Sequence, residues 1–269
     1  MTVTKGPPAR TAAFCLLATL ATAAGTVSAG AMVGGAAPAA NGPGRSVVMI
    51  LGSGGTACTA TAIARDLLLT AAHCVQPGAE YKLADLWSAN TPQLKDIMRI
   101  ERDPQFQLKR LLGHLATADV AVVKLADPLP GKIPPAPLDE ATTPAAPGDH
   151  FIVAGYGVTV RGDGRTGGTV RAATLVATGT PSSLQLRLFD PRTKGESAGL
   201  GACAGDSGAP AFRDHNGTLE IAGVVSWSTG PKLTGGCGGL TGITPLIRYS
   251  SWIVWAARGL GSPLLAQKP

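Results

Sequence analysis

Two short segments of the sequence hold the side chains best suited to nucleophilic catalysis. His73 lies in residues 70–74, Thr-Ala-Ala-His-Cys, and Ser207 lies in residues 205–210, Gly-Asp-Ser-Gly-Ala-Pro. Between them Asp119 stands at the start of an apolar run. A carboxylate buried there is costly unless a donor such as a histidine N–H stabilises its charge. Acyl transfer needs a hydroxyl nucleophile, a base that takes its proton and an acid that fixes the tautomer of the base. These three residues therefore indicate acyl-transfer chemistry.

The segments around these residues have the pattern of β-strands. Seven short runs rich in aliphatic and β-branched residues are separated by turn residues, a pattern that favours β-barrels or sandwiches. These runs are 47–51, 59–63, 67–70, 120–125, 151–156, 184–188 and 221–227. Residues 127–149 contain seven prolines, which cannot donate to a sheet, so this segment is expected to connect two halves of the chain. Apolar residues at near-helical spacing predict a terminal helix over 245–257, packed on the second half.

Composition supports a large buried core and excludes several partners. The chain has 269 residues, of which 45% are apolar and 15% are charged, enough for two domains or one large all-β unit. The net charge is +6, but the basic residues are scattered and the longest run is the pair Lys109-Arg110, so nucleic-acid binding is disfavoured. No cofactor fingerprint occurs, and His114, His150 and His215 lack metal-like spacing, so neither a cofactor nor a metal is expected.

The first 31 residues have the pattern of an export signal. Lys5 and Arg10 precede an apolar run over 11–25, and residues 29–31, Ala-Gly-Ala, form a signal-peptidase site that ends before Met32. Cleavage after Ala29 is the alternative and would leave a Gly-Ala extension. The apolar run is short for a membrane span, so we expect a secreted protein, extracellular or periplasmic, without a stable membrane anchor; a retained anchor is the competing interpretation.

Cysteine usage agrees with export. Removal of the signal removes Cys15 and leaves an even number of cysteines, which in an exported chain suggests two disulfides. Their spacing does not resemble a zinc ribbon. The four are Cys58, Cys74, Cys203 and Cys237.

With these motifs in order, the sequence resembles the trypsin/chymotrypsin-like serine protease family, in its secreted bacterial-type form. The family order of His, Asp and Ser is present, with separations of 46 and 88 residues. Further matching segments are Met32-Val33-Gly34-Gly35, Gly155-Tyr156-Gly157, Ser226-Trp227 and Ser251-Trp252-Ile253. The resemblance implies an all-β fold of two six-stranded antiparallel β-barrels with a C-terminal α-helix, in domains 32–135 and 136–269.

The resemblance also implies a role for each site residue. Ser207 attacks the substrate carbonyl, His73 transfers the proton, and Asp119 orients His73 with support from Ser226. The backbone N–H groups of Gly205 and Ser207 form the oxyanion hole.

A second set of roles concerns activation and the disulfides. Asp206 pairs with the α-amino group that processing creates at Met32, and signal cleavage alone is expected to create it. Cys58 pairs with Cys74, and Cys203 with Cys237, across a rim where residues 229–236 are an insertion.

The specificity pocket is expected to differ from that of trypsin-like members. By resemblance it includes Gly201 at the floor, with Ala202, Trp227, Ser228 and Gly242 around it. An aspartate is absent from the floor position, so a buried Lys or Arg of the substrate would be an unpaired cation. We expect an apolar or small residue before the scissile bond.

Two other functions compete with this one. A secreted binding protein that kept the fold and lost catalysis remains the alternative, although such relatives usually lack the His or the Ser. An α/β-hydrolase esterase is excluded, because its Gly-x-Ser-x-Gly elbow is incomplete here and Pro210 opposes the following helix. The expected partners of a serine endopeptidase are protein or peptide substrates and a possible protein inhibitor, and we expect a monomer.

Overall fold

The computed structural model describes residues 1–3, 32–86, 93–113, 115–179 and 182–264. Most of the predicted export signal, Cys15 and His114 lie outside the described residues. Within the described ranges, no helix combines the length and apolar character that crossing a membrane requires.

The described chain is dominated by β-strands. The strands are β1 (Ala37–Pro38), β2 (Val47–Gly52), β3 (Ala57–Ala62), β4 (Leu67–Thr70), β5 (Tyr81–Asp85), β6 (Gln93–Arg102), β7 (Ala121–Leu125), β8 (His150–Gly155), β9 (Arg171–Ala177), β10 (Leu186–Phe189), β11 (Pro210–His215), β12 (Thr218–Ser228) and β13 (Leu240–Pro245). The α-helices are α1 (Leu108–Leu112) and α2 (Ser250–Gly259), and 3-10 helices span Pro43–Ser46, Ala72–Val75, Gly164–Thr166, Pro231–Leu233 and Leu246–Arg248.

These strands close into two antiparallel barrels of six strands each. The first barrel has the order β2-β3-β4-β7-β6-β5 and closes through the pairing of β2 with β5. The second has the order β9-β10-β13-β12-β11-β8 and closes through the pairing of β8 with β9. The short β1 adds a seventh strand at β9. The predicted fold of two six-stranded barrels with a C-terminal helix is confirmed.

Each barrel has an apolar interior built mainly from aliphatic side chains. In the first barrel every residue of β4 is buried, and the second barrel is filled by Phe151, Leu175 and Leu188. The first core continues across the junction to Phe212 and Ile221 of the second barrel. This continuous packing fixes the cleft between the barrels, because a close-packed interior resists displacement.

The terminal helix forms as predicted, but its packing partner differs. Helix α2 contacts β7 of the first barrel, and Ile253 belongs to the apolar cluster that fills that barrel. Lys124 on β7 bonds both Ser262, just beyond the helix, and Asp66. The expectation that the helix packs on the second half is therefore wrong, because its apolar face packs against β7 of the first barrel.

Candidate active site

His73 and Asp119 are brought together by two neighbouring strands of the first barrel. His73 follows β4 in a 3-10 helix, Asp119 precedes β7, and the two strands pair with Thr70 opposite Ala121. Nδ1 of His73 lies 2.7 Å from Oδ2 of Asp119, and the backbone N–H of His73 donates to Oδ1 at 2.9 Å. The carboxylate therefore fixes both the backbone and the ring of His73.

A third donor reaches Asp119 from the second barrel. Ser226 in β12 donates its hydroxyl to Oδ2 of Asp119 at 2.5 Å. Asp119 is completely buried, and these bonds offset the cost of removing its carboxylate from water. With the Nδ1 proton directed at Asp119, the other nitrogen of the ring, Nε2, can accept a proton.

Ser207 lies in a loop that is held between the two barrels. Its carbonyl accepts the N–H of Thr59 in β3 at 2.8 Å, and the N–H of Gly208 donates to Val225 in β12 at 2.8 Å. Gly208 has φ +82°, and a Cβ there would lie 2.1 Å from the carbonyl oxygen of Thr59, so only glycine fits. Between the described residues no hydrogen bond joins Ser207 Oγ to His73; catalytic hydrogen bonds often tighten only when substrate binds.

The peptide that joins Ala204 to Gly205 has a defined orientation. The carbonyl of Ala204 accepts the N–H of Val158 at 2.8 Å, and in a trans peptide the N–H points opposite to the C=O, so the Gly205 N–H points away from Val158. Gly205 has φ +94°, and a Cβ there would lie 2.9 Å from the Cα of Gly157. In the described part of the chain, neither the Gly205 nor the Ser207 N–H has a protein acceptor. Both can therefore donate to a negatively charged oxygen.

Asp206 points away from the cleft into a buried cradle. Its two carboxylate oxygens accept the N–H groups of Gly157 and Cys203, each at 2.9 Å. A Cβ at Gly155 or at Gly157 would lie 2.2 or 2.4 Å from these oxygens, so both glycines are required by the close approach. Burial raises the pKa of Asp206 to about 7.

The segment after the predicted processing site packs on the same loop. The side chain of Met32 is completely buried in the second-barrel core, which also contains Ala202. Val33 donates its N–H to the carbonyl of Gly201 at 3.2 Å. Residues 32 and 33 thus support the base of the predicted pocket.

The predicted pocket is a cavity of about 260 Å³ beside Ser207. Its lining residues are Arg161, Ala202, Cys203, Ala204, Ser207, Val225, Trp227, Ser228, Gly236 and Cys237. Both predicted disulfides, Cys58–Cys74 and Cys203–Cys237, are present, and the second lies in this lining.

Two predicted pocket glycines, Gly201 and Gly242, are not among the lining residues. A Cβ at Gly242 would lie 2.0 Å from the indole of Trp227, with which Gly242 pairs across the sheet. The preceding residue, Thr241, lies beside Gly201, and its hydroxyl accepts the N–H of Ala202 at 3.0 Å. Thr241 was not predicted from the sequence.

Arg161 is a second pocket residue that the sequence did not indicate. Its guanidinium donates to the carbonyl of Gly235 in the predicted insertion at 2.9 Å. It is the one ionisable side chain among the described lining residues. A cation at this position opposes the entry of a second cation.

In two clusters of potential metal ligands, some of the ligand groups are already engaged in other bonds. Cys58 and Cys74, near His73, are joined in a disulfide and offer no thiolate. In the other cluster, of Asp139 with His215 and Glu220, the carboxylate of Asp139 already pairs with Arg213 at 2.9 Å.

A family model described as Trypsin matches residues 32–253. The chain belongs to the trypsin family. It is similar to the snake venom serine protease rhinocerase 4 of Bitis rhinoceros, with 26% identity over 78% of this chain and 81% of the relative. It is also similar to a venom plasminogen activator of Agkistrodon piscivorus leucostoma, with 25% identity over the same shares, and to the snake venom serine protease KN13 of Trimeresurus stejnegeri, with 26% identity over 70% of this chain and 73% of the relative.

This trypsin-family chain is a serine endopeptidase, and the names of its relatives agree with this assignment. The three relatives are snake proteins, so they support the family and not the bacterial-type subclass that the sequence resembles.

Proposed function

We propose that the protein is a secreted, monomeric endopeptidase that hydrolyses proteins through an acyl-enzyme on Ser207. Its export signal is residues 1–31, and its two domains are residues 32–135 and 136–269. Secretion is supported by the cationic and apolar pattern of the signal and by the venom origin of the relatives. The observation that carries the catalytic proposal is the contact of 2.7 Å between His73 and buried Asp119, in the cleft that also holds Ser207.

In the proposed reaction, Oγ of Ser207 attacks the peptide carbonyl carbon while Nε2 of His73 takes the hydroxyl proton. Asp119 stabilises the imidazolium that forms, and Ser226 holds Asp119 in place. The N–H groups of Gly205 and Ser207 donate to the oxyanion, each contributing about 3–4 kcal/mol to the transition state. The proton on His73 then passes to the leaving amine, and a water molecule repeats the sequence to release the acid.

The proposed activating partner of Asp206 is the α-amino group of Met32, created by signal cleavage after Ala31. The raised pKa of Asp206 supports this proposal, because a buried carboxyl without a countercharge favours its protonated form. A nearby ammonium would return the carboxylate to its charged form and hold the oxyanion loop.

The proposed substrates have an apolar or small residue before the scissile bond. Gly201 provides no acid to pair with Lys or Arg, and Arg161 adds a positive charge to the lining. A basic side chain would therefore lose water without gaining a countercharge, which is unfavourable.

The test is labelling of the exported protein with a fluorophosphonate probe, followed by mass spectrometry. We expect a single adduct on Ser207 and none in the Ser207→Ala variant, which serves as the matched control. The His73→Ala variant is expected to label far more slowly, because Ser207 then lacks its base. A folded wild-type protein that starts at Met32 and does not react would refute the proposal and favour the binding-protein alternative.

A further inference from the structure

The side chain of Thr59 in β3 connects the first barrel to the loop that carries the nucleophile. It is completely buried, and its hydroxyl donates to the carbonyl of Gly205 at 2.8 Å. The same oxygen accepts the N–H of Tyr156 at 3.1 Å. One hydroxyl thus joins the proposed oxyanion loop to the segment that supports it.

Gly205 needs such a connection because glycine has more backbone freedom than any other residue. The peptide before it is fixed by the bond from Val158 to the carbonyl of Ala204. The peptide after it is fixed by the hydroxyl of Thr59. With both neighbouring peptides held, Gly205 is kept at φ +94° and its N–H keeps one direction.

The backbone of Thr59 contributes a further contact at the other oxyanion donor. Its N–H donates to the carbonyl of Ser207 at 2.8 Å, a bond that does not depend on the side chain. Substitution of the side chain therefore removes the tie to Gly205 and leaves the tie to Ser207. This separation makes the role of the hydroxyl measurable.

We propose that Thr59 is a positioning residue for the oxyanion hole, acting through its hydroxyl on the Gly205 peptide. This inference rests on the proposed function of Gly205 and Ser207. A hydroxyl on the barrel that carries His73 then sets the direction of a donor on the barrel that carries Ser207. The geometry predicts that loss of this hydroxyl weakens stabilisation of the transition state more than binding of the substrate.

The experiment compares two pairs of residues at position 59. The wild type and Thr59→Val differ by a hydroxyl replaced with a methyl group, and Thr59→Ser and Thr59→Ala differ by the hydroxyl alone. The matched control is Thr61→Val, a buried position in the same strand that pairs with Val47 and Leu69 inside the first barrel. The measurements are kcat and KM on a chromogenic peptide, the inhibition constant of a peptide aldehyde, and the thermal midpoint.

We expect Thr59→Val and Thr59→Ala to lower kcat about tenfold with KM changed less than twofold, since a misdirected donor keeps part of its effect. The inhibition constant of the aldehyde, whose adduct with the enzyme carries the oxyanion, should rise by the same factor. Thr59→Ser should restore kcat to within twofold of the wild type, and Thr61→Val should leave kcat unchanged whatever its thermal midpoint.

Equal kcat values for Thr59→Ser and Thr59→Ala would overturn the inference, even if Thr59→Val fails to fold. An active wild type whose kcat is insensitive to Thr59→Val would also overturn it while leaving the proposed function intact. A wild type that does not react with fluorophosphonate would instead refute the proposed function, and this inference with it.

Discussion

The proposed pairing of Asp206 with the α-amino group of Met32 predicts that the stability of the protein depends on where the signal is cut. Consider a chain that begins at Met32 and one that begins at Gly30, the two products of the alternative cleavage sites. The pKa of Asp206 is raised by burial from 3.8 to about 7. Because the folded value is the higher one, the native state binds one more proton than the unfolded state between these pH values. Stability therefore falls as pH rises through this window.

The size of the effect follows from the shift. Each pKa unit corresponds to about 1.4 kcal/mol, so the chain that begins at Gly30 should lose about 4 kcal/mol between pH 4 and pH 7 and little more above it. In the chain that begins at Met32, the proposed pairing would give Asp206 a countercharge from the α-amino group. Its pKa should return towards the ordinary value, and most of the loss should disappear.

The assay is urea denaturation of both chains from pH 4.5 to pH 8, each beside its Asp206→Asn counterpart. The difference between a chain and its counterpart isolates the titration of residue 206 from that of other groups. The amide also turns one donor towards an N–H of the cradle, which lowers stability by an amount that does not vary with pH. Equal pH slopes for the two chains would refute the reasoning, because the new amine would then not interact with Asp206.

Substitutions at three further positions test the site. Ser226→Ala should lower kcat about tenfold with little change in KM, because Asp119 loses a charge-assisted hydrogen bond of 2.5 Å; an unchanged kcat would count against this role. Gly205→Ala should lower kcat at least about a hundredfold while circular dichroism shows a folded protein, since the new Cβ would meet Gly157 at 2.9 Å; wild-type kcat would contradict this expectation. Arg161→Glu should raise the ratio of kcat/KM for a peptide with Lys before the scissile bond to kcat/KM for one with Leu, about tenfold over the wild type. The ratio for Arg161→Gln should fall between those of the wild type and Arg161→Glu. An unchanged ratio would place the guanidinium outside the substrate's reach.

The strands that the sequence predicts best are those buried on both faces or bounded by strong turns. The run 67–70 coincides with β4, whose residues are all buried and which consists of three leucines followed by Thr70. The turn after β11 is Asn216-Gly217, a dipeptide typical of two-residue hairpin turns, and these residues have φ +54° and +86°, as such a turn requires. By contrast, β6 was missed because six of its ten residues have charged or amide side chains on an exposed barrel face, and α1 is one short exposed helix. Local patterns cannot distinguish such segments from loops.

In the site too, residues in a local motif were predicted from the sequence, and residues whose role depends on distant contacts were not. The proposed triad was visible because each member stands in a short characteristic segment. The role of Thr59 was not visible, since its hydroxyl bonds a carbonyl 146 residues away and nothing in its own strand indicates this contact. The place of Arg161 in the pocket depends on how the insertion folds, and that of Thr241 depends on strand register. A shift of one residue exchanges Thr241 for Gly242, which reverses the face of the sheet on which the side chain lies.

The contacts across the junction are reciprocal. Asp119, from the first barrel, is held by the hydroxyl of Ser226 from the second, and Gly205, from the second, is held by the hydroxyl of Thr59 from the first. Displacing one barrel against the other would break both bonds and leave buried polar groups without partners, which is costly at each end. The proposed base and the proposed oxyanion donors are therefore positioned by the same junction. A change that loosens this junction should reduce proton transfer and oxyanion stabilisation together, whereas loss of either hydroxyl alone should impair one of them.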